Sequence, residues 1–201
     1  MSQDPKPFQP FGGYESLRVY PLAELIYDAT VVFCDRFLAD NKRTTDQMVQ
    51  AARSGVRNIS EGSGAAATSK KSEMLLTNVA RASLKDELLP DYKSFLRQRG
   101  LRIWDKDEPQ TLEMRRRLKV RRADNLPKAA PGKVILTGQE GLVEFVRLAE
   151  PELAGNAMIC AVYQATWLLW RQLQGQMRQF EDDGGFSEEL FRKRSRKRGQ
   201  G

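Results

Sequence analysis

Apolar residues recur every three or four positions along most of this chain and nowhere sustain the alternation of a strand, so the sequence predicts helices and no sheet. The first helix is expected from Pro21, a residue suited to a first turn, to Asp40 and Asn41. Its apolar side carries Leu22, Ala23, Ile26, Tyr27, Thr30, Val31, Cys34, Phe37 and Leu38. A second helix opens with Thr44 or Thr45 as N-cap and presents Met48, Ala52, Val56 and Ile59. Gly62 and Gly64 are expected to stop it.

The third helix starts at Ser69 and runs to about Arg99, where Gly100 ends it, with a kink expected at Pro90. At 100° per residue it has two apolar stripes. Leu75, Val79, Ala82 and Leu89 form one, and Leu76, Ala80, Leu84, Leu88 and Phe95 form the other. A helix apolar on two sides is central in a bundle or shared with a neighbouring subunit. Between the stripes, Lys71, Asn78, Arg81 and Lys85 line one flank, and Glu73, Glu87 and Asp91 line the opposite one.

Periodicity lapses from Asp105 to Lys133, which reads as an extended or partly helical insertion. A short helix is expected from Gly138 to Ala149, and the last bundle helix from Leu153 to Phe180. The latter's stripe of Ile159, Val162, Tyr163, Thr166, Leu169, Trp170, Leu173, Met177 and Phe180 is expected to face the core. The fold class is therefore all-α: an antiparallel up-down four-helix bundle with a basic insertion between helices 3 and 4 and a basic C-terminal tail. Residues 1–13 read as a flexible N-terminus, 14–104 as bundle helices 1–3, and 105–137 as the insertion. Residues 138–183 hold the short helix and the last bundle helix, and 184–201 form the tail.

Charge changes this picture by its placement. The 201 residues carry 33 Lys and Arg against 26 Asp and Glu, a formal net charge of +7. Residues 1–100 contribute +2, 101–134 contribute +5, 135–186 contribute −4 and 187–201 contribute +4. The basicity thus sits in the insertion and the tail. There is no histidine, which removes the commonest metal ligand and the one side chain that titrates unperturbed near neutrality. The Glu-x-x-His ligands of di-iron bundles cannot occur, and neither an enzyme nor a cofactor is expected. Cys34 and Cys160 lie in apolar helical stretches and read as buried reduced thiols. No apolar run approaches the roughly 20 residues that span a bilayer, and no secretory pattern opens the chain. A cytoplasmic protein with no membrane partner is expected.

Several separated stretches share one likeness: residues 14–20 (YESLRVY), 47–63 (QMVQAARSGVRNISEGS), 68–84 (TSKKSEMLLTNVARASL), 95–104 (FLRQRGLRIW) and 184–194 (GGFSEELFRKR). Together they resemble the four-helix bundle family of proteins encoded by intervening sequences of ribosomal-RNA genes, in the branch with a C-terminal suffix region. The accessory protein of diversity-generating retroelements is a more distant likeness. The resemblance implies a left-handed up-down bundle, a ring-shaped homopentamer and no catalytic activity; in the retroelement relative a basic surface of the ring contacts RNA and a reverse transcriptase. The family's Ile-Pro pair is replaced by Gly55 and Val56, whereas Asn58, Ile59, Glu61 and Gly62 match its motif.

Arg53 and Arg57 stand one turn apart, away from the apolar stripe of their helix, and could straddle adjacent phosphates; a solvated face is the alternative. Lys70, Lys71, Arg81 and Lys85 begin and flank helix 3 and could meet either nucleic acid or the acidic flank of the next copy in a closing ring. Arg115, Arg116, Arg117, Arg121 and Arg122 in the insertion, with Arg192, Lys193, Arg194, Arg196, Lys197 and Arg198 in the tail, should attract polyanions in a salt-dependent way. RNA is the favoured partner, and self-association the favoured assembly. A scaffold whose tail docks an acidic protein remains the alternative. Asn58 and Glu61 have no nucleophile, metal cluster or P-loop beside them and read as helix-end hydrogen bonding. Trp167 and Trp170 read as core or subunit interface.

Overall fold

The computed structural model describes residues 13–118 and 140–183, with residue 195 alone beyond them. Among the described residues every regular element is helical and there is no strand. A short 3-10 turn at Tyr14–Ser16 leads into α1 (Tyr20–Phe37), followed by α2 (Lys42–Ala65) and α3 (Lys70–Ala82). A π turn at Ser83–Leu88 joins α3 to α4 (Leu89–Gln98) without a break. Then come α5 (Pro109–Arg117), α6 (Glu140–Leu148) and the long α7 (Pro151–Asp183).

Local chemistry explains the boundaries. Ser69 caps α3 by accepting the Ser72 amide at 3.2 Å. For α2 the expected cap is corrected: Asn41 supplies it, accepting from the Thr44 amide at 3.2 Å, while the Thr45 hydroxyl donates to the Leu38 carbonyl. Gly62 and Gly64 do not stop α2, which continues to Ala65. A Cβ at Gly62 would lie 3.3 Å from Leu76 Cβ, so this glycine serves the approach of α3. Gly100, at φ +65°, does close α4.

The distortion expected at Pro90 takes the form of the π turn. Pro90 has no N–H and its ring crowds the carbonyl four residues back. The wider turn, in which the Leu89 amide reaches the Leu84 carbonyl, accommodates both.

Neighbouring helices run in opposite directions. Gly55 of α2 lies against Leu84 and Gly62 against Leu76, so α2 and α3 are antiparallel. Lys93 meets Tyr163, and Glu73 meets Gln176, so the α3–α4 rod and α7 are antiparallel too. Diagonally, Phe33 of α1 packs edge-on against Tyr92 and Phe95 of α4. Thr30 gives its one proton to the Ile26 carbonyl at 2.6 Å, so the buried Tyr92 hydroxyl donates to Thr30 across 2.8 Å.

Two expected faces are corrected. On α7 Ile159, Val162, Thr166 and Leu169 of the expected stripe are buried, joined by Ala154, Ala157, Met158, Ala161 and Ala165, whereas Tyr163, Trp170 and Met177 face out. Small side chains let helices approach, and Gly155 shows how closely: a Cβ there would stand 2.8 Å from Leu96 Cδ2. On helix 3 the stripe of Leu76, Ala80, Leu84, Leu88 and Phe95 is turned inward, but Leu75 is 64% exposed and Val79 is also exposed, while Leu89 is buried. The π turn between them departs from the 3.6-residue period on which that stripe was drawn.

Between α4 and α5 the chain is extended and tied to α7. Asn156 accepts from the Trp104 amide at 2.9 Å and donates to the Arg102 carbonyl at 2.8 Å, and Glu152 accepts from the Arg102 amide. Thr111, Met114 and Leu118 seat α5, and Gln164 donates to the Leu118 carbonyl at 2.6 Å.

Candidate nucleic-acid interface

Among the described residues, those singled out for nucleic-acid contact fall on α2, on α3 with the π turn that follows it, and on α5. On α2, Arg53 and Arg57 are exposed and make no ion pair among the described residues. Their position follows from the packing of the same helix: Gly55 and Gly62 turn toward α3, which leaves both arginines on the far side at about 160°. Two arginines four residues apart, about 6 Å along the helix axis, are thus available to anions. Asn58 on this helix is spent locally, donating to the Ser54 carbonyl at 2.9 Å.

On α3 and the π turn, Lys71 and Lys85 are exposed, but two other cations are engaged. Lys70 contacts Glu73 at 3.1 Å and Gln179 at 3.4 Å. Glu73 also accepts from Gln176 at 3.0 Å, so this member of the expected acidic flank is occupied within its own chain. Arg81 is half-buried; its Nη2 lies 3.4 Å from Asn78, and its buried Nε has no hydrogen-bond partner among the described residues.

On α5 two of the three arginines share a single carboxylate. Glu113 takes two bonds from Arg116, at 2.7 and 2.8 Å, and one from Arg117 at 2.8 Å. These bonds hold its carboxyl down at about 2 and raise Arg116. Arg115 donates to the Lys106 carbonyl. The three groups do not merge: α5 rests on α7, while α2 packs between α1 and α3. Arg121, Arg122, Arg192, Lys193, Arg194, Arg196, Lys197 and Arg198 lie outside the described residues.

The sequence pattern put Tyr163, Trp170 and Met177 on the core stripe of the last helix and read Trp167 and Trp170 as core or subunit interface; the structure turns all four to the surface. Tyr163, Trp167, Trp170 and Met177 are 40%, 52%, 46% and 43% exposed on one face of α7. Lys93 donates to the Tyr163 hydroxyl at 2.7 Å and lies 5.1 Å from its ring centre, and Arg171 stands 5.3 Å from the Trp167 ring. The legible signal was charge: between Glu152 and Glu181 the helix has no carboxylate, only Arg171 and Arg178.

Among the described residues no group of His, Cys, Asp and Glu could hold a metal ion, and no helix is long and apolar enough to cross a membrane. Cys34 and Cys160 are free and buried, and burial pushes their thiols up to about 12 and about 11. No family model matches the chain, and neither a curated protein nor a solved structure does.

Proposed function

We propose that this chain is a non-enzymatic, antiparallel up-down four-helix bundle protein of the ribosomal intervening-sequence type, which assembles into a ring and binds RNA through basic surfaces. One observation carries the binding half: Arg53 and Arg57 stand solvent-exposed, without ion partners among the described residues, on the face of α2 opposite its packing. Guanidinium pairs of this kind suit phosphate oxygens, and the cationic run of residues 192–198 adds a sequence-independent attraction. The assembly half is supported by Leu75 and Val79, apolar side chains that α3 turns to solvent in the single chain. A pentamer, and a role as accessory factor to an enzyme such as a reverse transcriptase, follow from the resemblance.

Gel-shift titration with a structured ribosomal-type RNA at 50 mM and 200 mM salt tests the binding. The affinity is expected to fall steeply with salt, and Arg53→Glu with Arg57→Glu to weaken it further. An absence of any salt-sensitive shift overturns it in favour of a protein-docking scaffold. Light scattering on the eluted peak tests the ring, and a monomer at micromolar concentration overturns that part.

A further inference from the structure

The outward face of α7 is built differently from the other basic surfaces. Tyr163, Trp167 and Trp170 follow one another at four and three residues, which sets them about 6 and 4.5 Å apart along the helix axis. At 100° per residue they lie within about 60° of one another, and Met177 continues the strip. Two of the three rings have a cation at their side, Lys93 at Tyr163 and Arg171 at Trp167. Neither cation makes an ion pair among the described residues. The antiparallel register fixed by Lys93–Tyr163 and Gln176–Glu73 puts Trp170 level with residues 81–85 of the neighbouring rod.

A purely apolar partner would satisfy the rings and strand these cations. A polyanion alone would satisfy the cations and leave the rings wet. One class of ligand offers flat apolar faces and negative charge in alternation along its length. We propose that the outward face of α7 is a stacking platform for single-stranded nucleic acid, with bases laid on Tyr163, Trp167 and Trp170 and phosphates held by Lys93, Arg171 and Arg178. This rests on the polyanion reading of the protein and goes beyond it by naming the strand form and the residues that meet the bases. Both ring spacings exceed the roughly 3.4 Å of a duplex step, which suits bases splayed from one another, as single-stranded RNA is read. The platform does not read sequence, since every base has a face to stack. It distinguishes single strand from duplex, whose bases are already covered.

The test uses the full chain, a uridine homopolymer oligonucleotide and a blunt RNA duplex of equal length. Anisotropy reports affinity, and quenching of intrinsic tryptophan fluorescence reports stacking. The wild-type protein is expected to favour the single strand and to be quenched by it. Trp167→Ala and Trp170→Ala are expected to weaken single-strand binding by about 5- to 150-fold each, with duplex binding little changed. Trp170→Phe, which keeps a ring, should restore most of the loss, and Trp170→Leu, which keeps apolar bulk, should not. Far-UV circular dichroism confirms that these surface variants are folded. If the wild type binds single strand and duplex alike and the tryptophan variants match it, the platform is overturned while the general RNA reading stands. If neither nucleic acid binds, both readings fall. If the variants instead lower the oligomeric mass seen by light scattering and leave RNA binding intact, the face belongs to a second copy of the chain and the platform is overturned.

Discussion

The two ends of the α3–α4 rod are held in opposite ways. Around α4 the contacts are dry and aromatic: Phe33 meets Phe37, Tyr92 and Phe95 edge-on with ring centres 5.0, 4.9 and 4.7 Å apart, and Leu88, Leu89 and Leu96 are buried beside them. Around α3 only Thr77 and Ala80 are buried, and the links to α7 are polar, through Glu73, Thr77, Lys70, Gln176 and Gln179. Apolar side chains at this end, Leu75, Val79 and Met177, point to solvent. Stability is thus concentrated where the aromatics interlock, and the end with hydrophobic surface left over is the end free to engage something else.

Three experiments break or sharpen this contrast. Phe33→Ala removes the ring that three others touch and should lower stability by about 3–5 kcal/mol, read as a fall in the urea midpoint. Tyr92→Phe deletes one buried hydroxyl whose partner, Thr30, keeps its bond to Ile26; about 1 kcal/mol is expected in the same assay. At the polar end, Gln176→Leu should cost about 1 kcal/mol or less. The amide's buried Oε1 already lacks a partner, and Glu73 retains Lys70. A loss as large as that of Phe33→Ala would show that the two ends do not differ as described.

The smallest effect is expected on α5, which belongs to neither end. The Glu113 carboxyl sits at about 2 against an ordinary 4.5 because Arg116 and Arg117 bond to it. A depressed carboxylate contributes fully above its unfolded value, and the contribution is lost as pH falls from about 4.5 toward 2. Exposure to solvent keeps it small. The protection of α5 amides, taken relative to the intrinsic exchange rate at each pH, should fall over that window, and Glu113→Gln should remove that fall.

Helix positions were legible because their signals are local. Pro21, the Ser69 cap and Gly100 act within a turn, and each stands where periodicity placed it. Facing was less legible. The last helix was oriented by its bulkiest apolar residues, yet it packs through alanines and Gly155, since closeness of approach and not side-chain size decides the seam. At the candidate interface, the count of arginines in residues 115–117 concealed the single Glu113 that holds two of them. The opposite happened at Arg53 and Arg57, whose angular position on α2 was enough to leave them outside.

The π turn at Ser83–Leu88 acts as a one-residue insertion in an otherwise regular rod. Removing one residue there would swing α3 by about 100° relative to α4. Leu75 and Val79 would leave the surface by rotation, while Glu73 and Thr77 would lose Gln176. Whether this protein exposes an adhesive hydrophobic edge is therefore set by residue count in one turn, so a variant lacking one residue of that turn should differ from the parent in how it associates.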